Sequence, residues 1–259
     1  MIGELRLFFI ALQFLTRVPV PRWVGFEPEW LNRSARYFPA VGLFVGGVAA
    51  AVLAATKSPF GSVVAVGLSM AASVLLTGAF HEDGWADTCD ALGGAVDRER
   101  ALTIMKDSRI GAYGAVGLVL MLGLKAAALA SMPLAWALPA LLLGHTASRA
   151  AAVALIRWLP YAGELEHAKA KPMAQRVSAA SVVVAAGSVV ALSIAIALHA
   201  PGQIPAAVAG PLLALFGALG CAAWLRRRLG GYTGDALGAT QQITELLVLL
   251  GWLALARGA

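Results

Sequence analysis

Phe60-Gly-Ser-Val-Val-Ala-Val-Gly-Leu-Ser-Met-Ala-Ala-Ser-Val-Leu-Leu-Thr-Gly-Ala-Phe80 runs without a single charge and leads directly into His81-Glu-Asp-Gly-Trp-Ala-Asp-Thr-Cys-Asp90. About 20 apolar residues suffice to cross the hydrocarbon core of a bilayer as a helix. An uncharged run of that length ending abruptly in carboxylates reads as a membrane span that delivers an acidic segment to water. The rest of the chain repeats the pattern. Of the 259 residues, 59% are hydrophobic and only 13% charged, against roughly 25% charged in a soluble domain. The charges cluster between long apolar runs, as expected of a chain whose main solvent is lipid.

Working outward from 60–80, six more stretches qualify as spans, at 38–56, 110–130, 133–156, 177–199, 203–225 and 236–256. Leu5 to Leu15 is apolar but too short to cross, and reads as an interfacial or re-entrant helix. Met1-Ile-Gly-Glu-Leu-Arg6 lacks the basic start of a signal peptide. The fold class is therefore all-α. It is a polytopic integral membrane bundle of about seven transmembrane helices plus that N-terminal helix, forming one membrane-embedded catalytic domain over 1–259.

Seven spans put 1–37 and the polar loops 81–109, 157–176 and 226–235 on one side. Sixteen of the 20 Lys and Arg fall there: those from Arg6 to Arg36, from Arg98 to Arg109, from Arg157 to Arg176 and from Arg226 to Arg228. The positive-inside rule makes that side cytoplasmic, and an error of one span would scatter the segregation. Orientation in the membrane thus accounts for the net charge of +6. Lipid, and no nucleic acid, is the expected macroscopic partner. Cys89 and Cys221 form no metal or disulfide framework.

Seven of the 14 acidic residues lie between Glu82 and Asp107. At about 100° per residue, Asp83, Asp87 and Asp90 fall within a stripe of roughly 60° on a helix, with Trp85 and Leu92 opposite. Carboxylates this close repel unless a cation neutralises them. Hard oxygen donors select Mg²⁺, Mn²⁺ or Ca²⁺. Magnesium completes its shell with water and phosphate, so the stripe suits a phosphate or pyrophosphate substrate.

The loop continues as Met105-Lys-Asp-Ser-Arg-Ile-Gly-Ala-Tyr-Gly114. Lys106 and Arg109 are candidate phosphate binders. Ser108 is a candidate cap for the next span, whose first N–H groups would favour an anion. Asp107 is a further ligand or a base. Gly230-Gly-Tyr-Thr-Gly-Asp-Ala-Leu-Gly238 forms a second polar segment, whose glycines allow close backbone approach to a ligand and whose reactive groups are Thr233 and Asp235. Within the spans, His145 and Arg149 share a face. Thr240, Gln241, Thr244 and Glu245 form a polar stripe, expected either to line a cavity open to the cytoplasmic side or to pair structurally, Arg149 with Glu245. Lys125 is expected to snorkel at the far end of its span. These residues leave three classes: a membrane Mg²⁺ phosphotransferase, including the CDP-alcohol phosphotransferase type, a prenyltransferase, and a metal or ion transporter. A transporter should carry carboxylates within its spans, and a prenyltransferase a second aspartate-rich loop. The phosphotransferase fits best.

Six segments in order carry a resemblance to a known family: Ala11-Leu-Gln-Phe-Leu-Thr-Arg-Val-Pro-Val20, Tyr37-Phe-Pro-Ala-Val-Gly42, His81 to Ala91, Asp97-Arg-Glu-Arg100, Ile104 to Gly114 and Gly231 to Ala239. Together they resemble the cobalamin synthase family over nearly the whole chain. The resemblance implies a multi-pass enzyme of a bacterial inner membrane with cytoplasmic active-site loops. It would join adenosylcobinamide-GDP to α-ribazole or its 5′-phosphate, release GMP and require Mg²⁺. It implies metal ligands at Asp83, Asp87, Asp90 and Glu82. Glu82 departs from a common His-Leu-Asp pattern, and Cys89 stands where a small residue is usual. Asp107 or Asp235 would accept the hydroxyl proton. His81, Lys106, Ser108, Arg109, Thr233, Arg149, Gln241 and Glu245 would contact substrate. A homo-oligomer or an association with other cobalamin-assembly enzymes stays open.

Overall fold

The computed structural model describes residues 2–163 and 174–256. The part of the 157–176 loop holding Glu164, Glu166 and His167 lies outside them. Ten α-helices are described: α1 (Ile2–Leu15), α2 (Pro28–Ser34), α3 (Phe38–Thr77), α4 (Phe80–Leu92), α5 (Arg98–Ile104), α6 (Ala112–Ala130), α7 (Leu134–Trp158), α8 (Ala179–His199), α9 (Ile204–Leu229) and α10 (Gly234–Ala256). No strand is formed among the described residues beyond one isolated bridge, Tyr161 to Tyr232.

Among the described residues six helices are long and apolar enough to cross a membrane, and the first of them carries two of the seven expected spans. At about 1.5 Å per residue, the 40 residues of α3 would extend roughly 60 Å, twice the hydrocarbon thickness. The chain solves this by turning back at Gly61, whose φ of 73° and ψ of 172° only glycine adopts readily. Pro59 lies just before it. The two arms then pack on each other, and Ser69 Oγ donates to Ala49 O at 2.7 Å. The second arm ends at Thr77, three residues short of the expected Phe80. Gly78, at φ 71°, stops it in the left-handed region. Ala79 follows at φ 59°, so the acidic helix α4 leaves in a new direction.

α7 is the central helix and packs against α3, α8, α9 and α10. Gly42 and Gly46, one turn apart on α3, let that helix close on the backbone of α7. A Cβ on Gly46 would lie 2.8 Å from Leu141 O. Small residues at a crossing are how helices gain packing energy in lipid, where no hydrophobic drive favours association. At about 21 Å, α1 is too short to span. It buries Leu7, Ile10, Ala11 and Leu15 and packs on α2 and α3.

At the loop-rich end, three connections are tied together. Arg98 Nε donates to Leu229 O at 2.7 Å, and its Nη2 to Ala162 O at 3.3 Å. Arg228 donates to Leu92 O and Gly94 O at 3.2 and 3.1 Å. Ala162 N donates to Tyr232 O, and Tyr232 N to Pro160 O. This frame holds the end of α4 beside the start of α10.

Candidate active site

α4 carries the acidic stripe as a helix, as the spacing predicts. Glu82 and Asp83 occupy its first turn, where negative charge complements the helix dipole. Asp83 is exposed and Asp87 half-buried. Against this helix lies α10, drawn in by two glycines. A Cβ on Gly84 would lie 2.7 Å from Asp235 O and 3.0 Å from Asp235 Cα. A Cβ on Gly238 would lie 3.3 Å from His81 O. The absence of side chains at both points brings the Asp235 backbone onto α4 at Gly84, the residue after Asp83. Carboxylates from two sequence-distant segments thus share one end of the bundle.

The third stripe residue faces a different partner. Asp90 Oδ2 accepts from Gly111 N at 2.7 Å, and Oδ1 from Gly114 N at 2.8 Å. Both oxygens are therefore engaged by backbone N–H groups at the start of α6. Ser108 does not cap this helix, contrary to expectation. Gly111 is its N-cap residue and has no capping side chain. The anion that the helix start favours is Asp90 itself, supplied from α4. The contact needs glycine at 111 and 114, because a Cβ at either position would collide with the Asp90 carboxylate. Replacing an N-cap side chain by alanine costs about 0.5–2 kcal/mol. Asp90→Ala should therefore lower the thermal midpoint and speed amide exchange across Gly111–Ala115. Unchanged exchange there would show that Asp90 does not anchor the helix.

The 105–111 loop is thereby pinned to α4 at one end and, through Met105 against Thr233 Oγ1, to α10 at the other. Lys106, Ser108 and Arg109 lie on its exposed side. Asp107 and Arg109 form a bidentate pair, with Nε to Oδ1 at 3.0 Å and Nη2 to Oδ2 at 2.6 Å. Hydrogen bonding from Arg109 holds the Asp107 carboxyl down at about 2. A carboxylate that acidic is a weak proton acceptor near neutral pH. Thr233 is buried and its Oγ1 accepts from Ala236 N at 3.2 Å, so it caps α10. In the glycine-rich segment, Gly230 ends α9 at φ 74°, and Gly231 packs on the carbonyl of Pro160. Burial and the neighbouring Asp90 push the Cys89 thiol up to about 11, so it is not a ready nucleophile.

The intramembrane polar residues depart furthest from expectation. Lys125 does not snorkel. It is buried, and its Nζ donates to Glu245 Oε1 and Gln242 Oε1, both at 2.7 Å. Glu245 pairs with Lys125 and His145, the latter at 3.1 Å, rather than with Arg149. Arg149 is buried and donates to His145 O at 3.0 Å. Gln241 Nε2 donates to Ser148 Oγ at 3.0 Å and also to Glu245. Thr240 and Thr244 donate back to carbonyls of their own helix. The void lined by Glu82, Lys125, His145 and Glu245 measures about 30 Å³. His81 is buried with its ring edge-on to Phe80.

The sequence reading passed over Gln242 and had Lys125 snorkel, where the structure pairs it inside the bundle. The signal was present. Gln242 and Glu245 stand i, i+3 on one helix face, and Lys125 interrupts an otherwise uncharged run.

Among the described residues no three His, Cys, Asp or Glu side chains form a ready metal cage. Magnesium does not need one, since it takes one or two carboxylates and fills its shell with water and phosphate oxygens. The i, i+4 pair Asp83 and Asp87, hard oxygen donors on one helix face, fits that requirement.

Fold and site together define a multi-pass helical membrane protein with an oxygen-donor acidic centre at one end of the bundle. Comparison with known proteins narrows this. The profile of the family described as cobalamin-5-phosphate synthase matches residues 7–253, and the chain belongs to that family. A protein of Leptothrix cholodnii, named adenosylcobinamide-GDP ribazoletransferase, is 60% identical over 98% of this chain and 97% of its own length. Proteins of the same name from Shewanella amazonensis and Vibrio cholerae are 46% and 41% identical, each over 97% of this chain and 96% and 94% of their own lengths. No solved structure matches the chain. Family membership removes the prenyltransferase and transporter readings.

Proposed function

We propose that this protein joins adenosylcobinamide-GDP to α-ribazole or its 5′-phosphate, releases GMP, requires Mg²⁺, and works on the cytoplasmic face of a bacterial inner membrane. The transferase reading rests on the family and on its similarly named relatives. The observation that carries the site is the packing of the Asp235 backbone onto Gly84, the residue after Asp83. The excess of basic residues at the same end favours the cytoplasmic orientation.

The ribazole hydroxyl oxygen bonds to the cobinamide-side phosphorus. The phosphoanhydride bond breaks, and GMP leaves with the bridging oxygen. Such a transfer depends on positioning and charge neutralisation. Bound Mg²⁺ would supply charge neutralisation on the pyrophosphate and its leaving oxygen. Asp83 and Asp87 would hold it. Lys106 and Arg109, on the exposed loop clamped by Asp90, would take up phosphate charge. Engaging Arg109 means drawing it from Asp107. Asp107, once Arg109 is drawn away, or Asp235 would accept the hydroxyl proton.

The test is GMP release by the purified protein in lipid nanodiscs. Release should require adenosylcobinamide-GDP, α-ribazole and Mg²⁺ together. Release without α-ribazole would make the protein a hydrolase, and undiminished release in excess chelator would remove the metal from the reading.

A further inference from the structure

A line of buried polar side chains runs from the acidic helix into the bundle. Lys125 lies about 20 Å along α6 from its start, deep in a span. Its Nζ donates to Gln242 Oε1 and to Glu245 Oε1. Gln242 Nε2 in turn donates to Glu82 Oε1 and to Gln241 Oε1, both at 3.0 Å. Glu82 immediately precedes Asp83 in the first turn of α4. We propose that Lys125 is a positioning residue for the transfer reaction: it orients the Gln242 amide, which holds Glu82 and, through Glu82, the acidic face of α4. The proposal rests on the reading of α4 as the reaction site.

The argument is one of donor and acceptor polarity. A lysine ammonium can only donate, so the Gln242 carbonyl must face it. That leaves the NH₂ group to face Glu82, and a carboxylate can only accept. The line therefore has one consistent direction, fixed at its buried end by the Lys125 ammonium and at its outer end by the Glu82 carboxylate. Without the ammonium, the Gln242 carbonyl loses the donor that anchors it, and the amide is held only through its NH₂ contacts with Glu82 and Gln241. Flipped, the amide would set its oxygen against a carboxylate. A buried ion pair is a costly way merely to join helices, because both charges lose their hydration. An apolar side chain like the neighbouring Leu124 would span lipid without that cost. What an apolar residue cannot do is fix the direction of an amide.

The split between kcat and KM in Gln242→Glu separates positioning from simple cohesion. The substitution is nearly isosteric and still accepts from Lys125, so the buried pairing is kept, but it loses the donor to Glu82. Lys125→Met removes the donor at the buried end. Steady-state kinetics and thermal midpoints of both variants, in nanodiscs, would be compared with wild type and with Asp87→Asn. A displacement of about 1 Å at a reacting group costs roughly 100-fold. Gln242→Glu should therefore lose kcat on that scale with KM for both substrates close to wild type, while the thermal midpoint falls because the new carboxylate faces Glu82 and Gln241 Oε1. Lys125→Met should match it in kcat. Wild-type kcat in Gln242→Glu overturns the proposal even if Lys125→Met fails to fold, since the lysine would then serve cohesion alone. Full activity in Asp87→Asn would instead overturn the site reading on which the proposal depends.

Discussion

Asp87→Asn should reduce GMP release roughly 10²–10³-fold, the usual loss when one charge-stabilising group is removed from a preorganised site. Asp87 lies one turn beyond Asp83 on the same face of α4. Asparagine keeps the shape and hydrogen-bonding capacity of the side chain but removes the negative charge. Folding should survive, because the residue is only half-buried. The loss should appear mainly in kcat, with the concentration of Mg²⁺ needed for half-maximal release rising. Asp90→Asn is the informative contrast. Its carboxylate is occupied by Gly111 and Gly114 N–H groups, so it should change the metal requirement far less. If the two substitutions raise the metal requirement equally, Asp90 is a ligand as well as a cap. If neither does, the metal lies elsewhere.

Gly84→Val should be nearly as damaging, although it removes no functional group. Even the first carbon of a side chain would lie 2.7 Å from Asp235 O and 3.0 Å from Asp235 Cα. Both atoms belong to the backbone, so neither can swing aside. The helices must part by something near 1 Å, which at a reacting centre costs about 100-fold in turnover, and overpacking adds about 1–3 kcal/mol of destabilisation. Gly94→Val is the control, because a Cβ there meets nothing within 4 Å. Turnover should fall sharply in the first variant and little in the second. Wild-type turnover in Gly84→Val would show that the reaction does not need Asp235 held against α4.

Both results bear on what could be read before the chain folded. The bundle was legible because lipid imposes a one-dimensional rule: a span must be long and apolar, and charges gather outside it. The run from Phe60 to Phe80 announces itself in that way, as does the stripe Asp83, Asp87, Asp90 on a helix of known pitch. The turn of α3 at Gly61 was hidden only in detail, since a short external loop between two spans had to exist. The roles of individual polar residues were less accessible. Asp90 looks like its neighbours on the helical wheel, yet its carboxylate is committed to a helix that begins at Ala112. Gly84 looks like an ordinary small residue until Asp235 is packed on it.

By itself, then, the sequence determined that this is a helical membrane protein with its acidic and basic chemistry gathered at one end, because hydrophobic length and helical periodicity are local properties of the chain. Only the tertiary structure decided that the Asp90 carboxylate meets the start of α6 while the Asp235 backbone packs on Gly84, and that Glu245 pairs with Lys125 and His145 rather than Arg149. Those outcomes depend on which helices touch and at what distance. In a low-dielectric interior every donor and acceptor must find a partner, and the partner is chosen by packing between segments far apart in sequence.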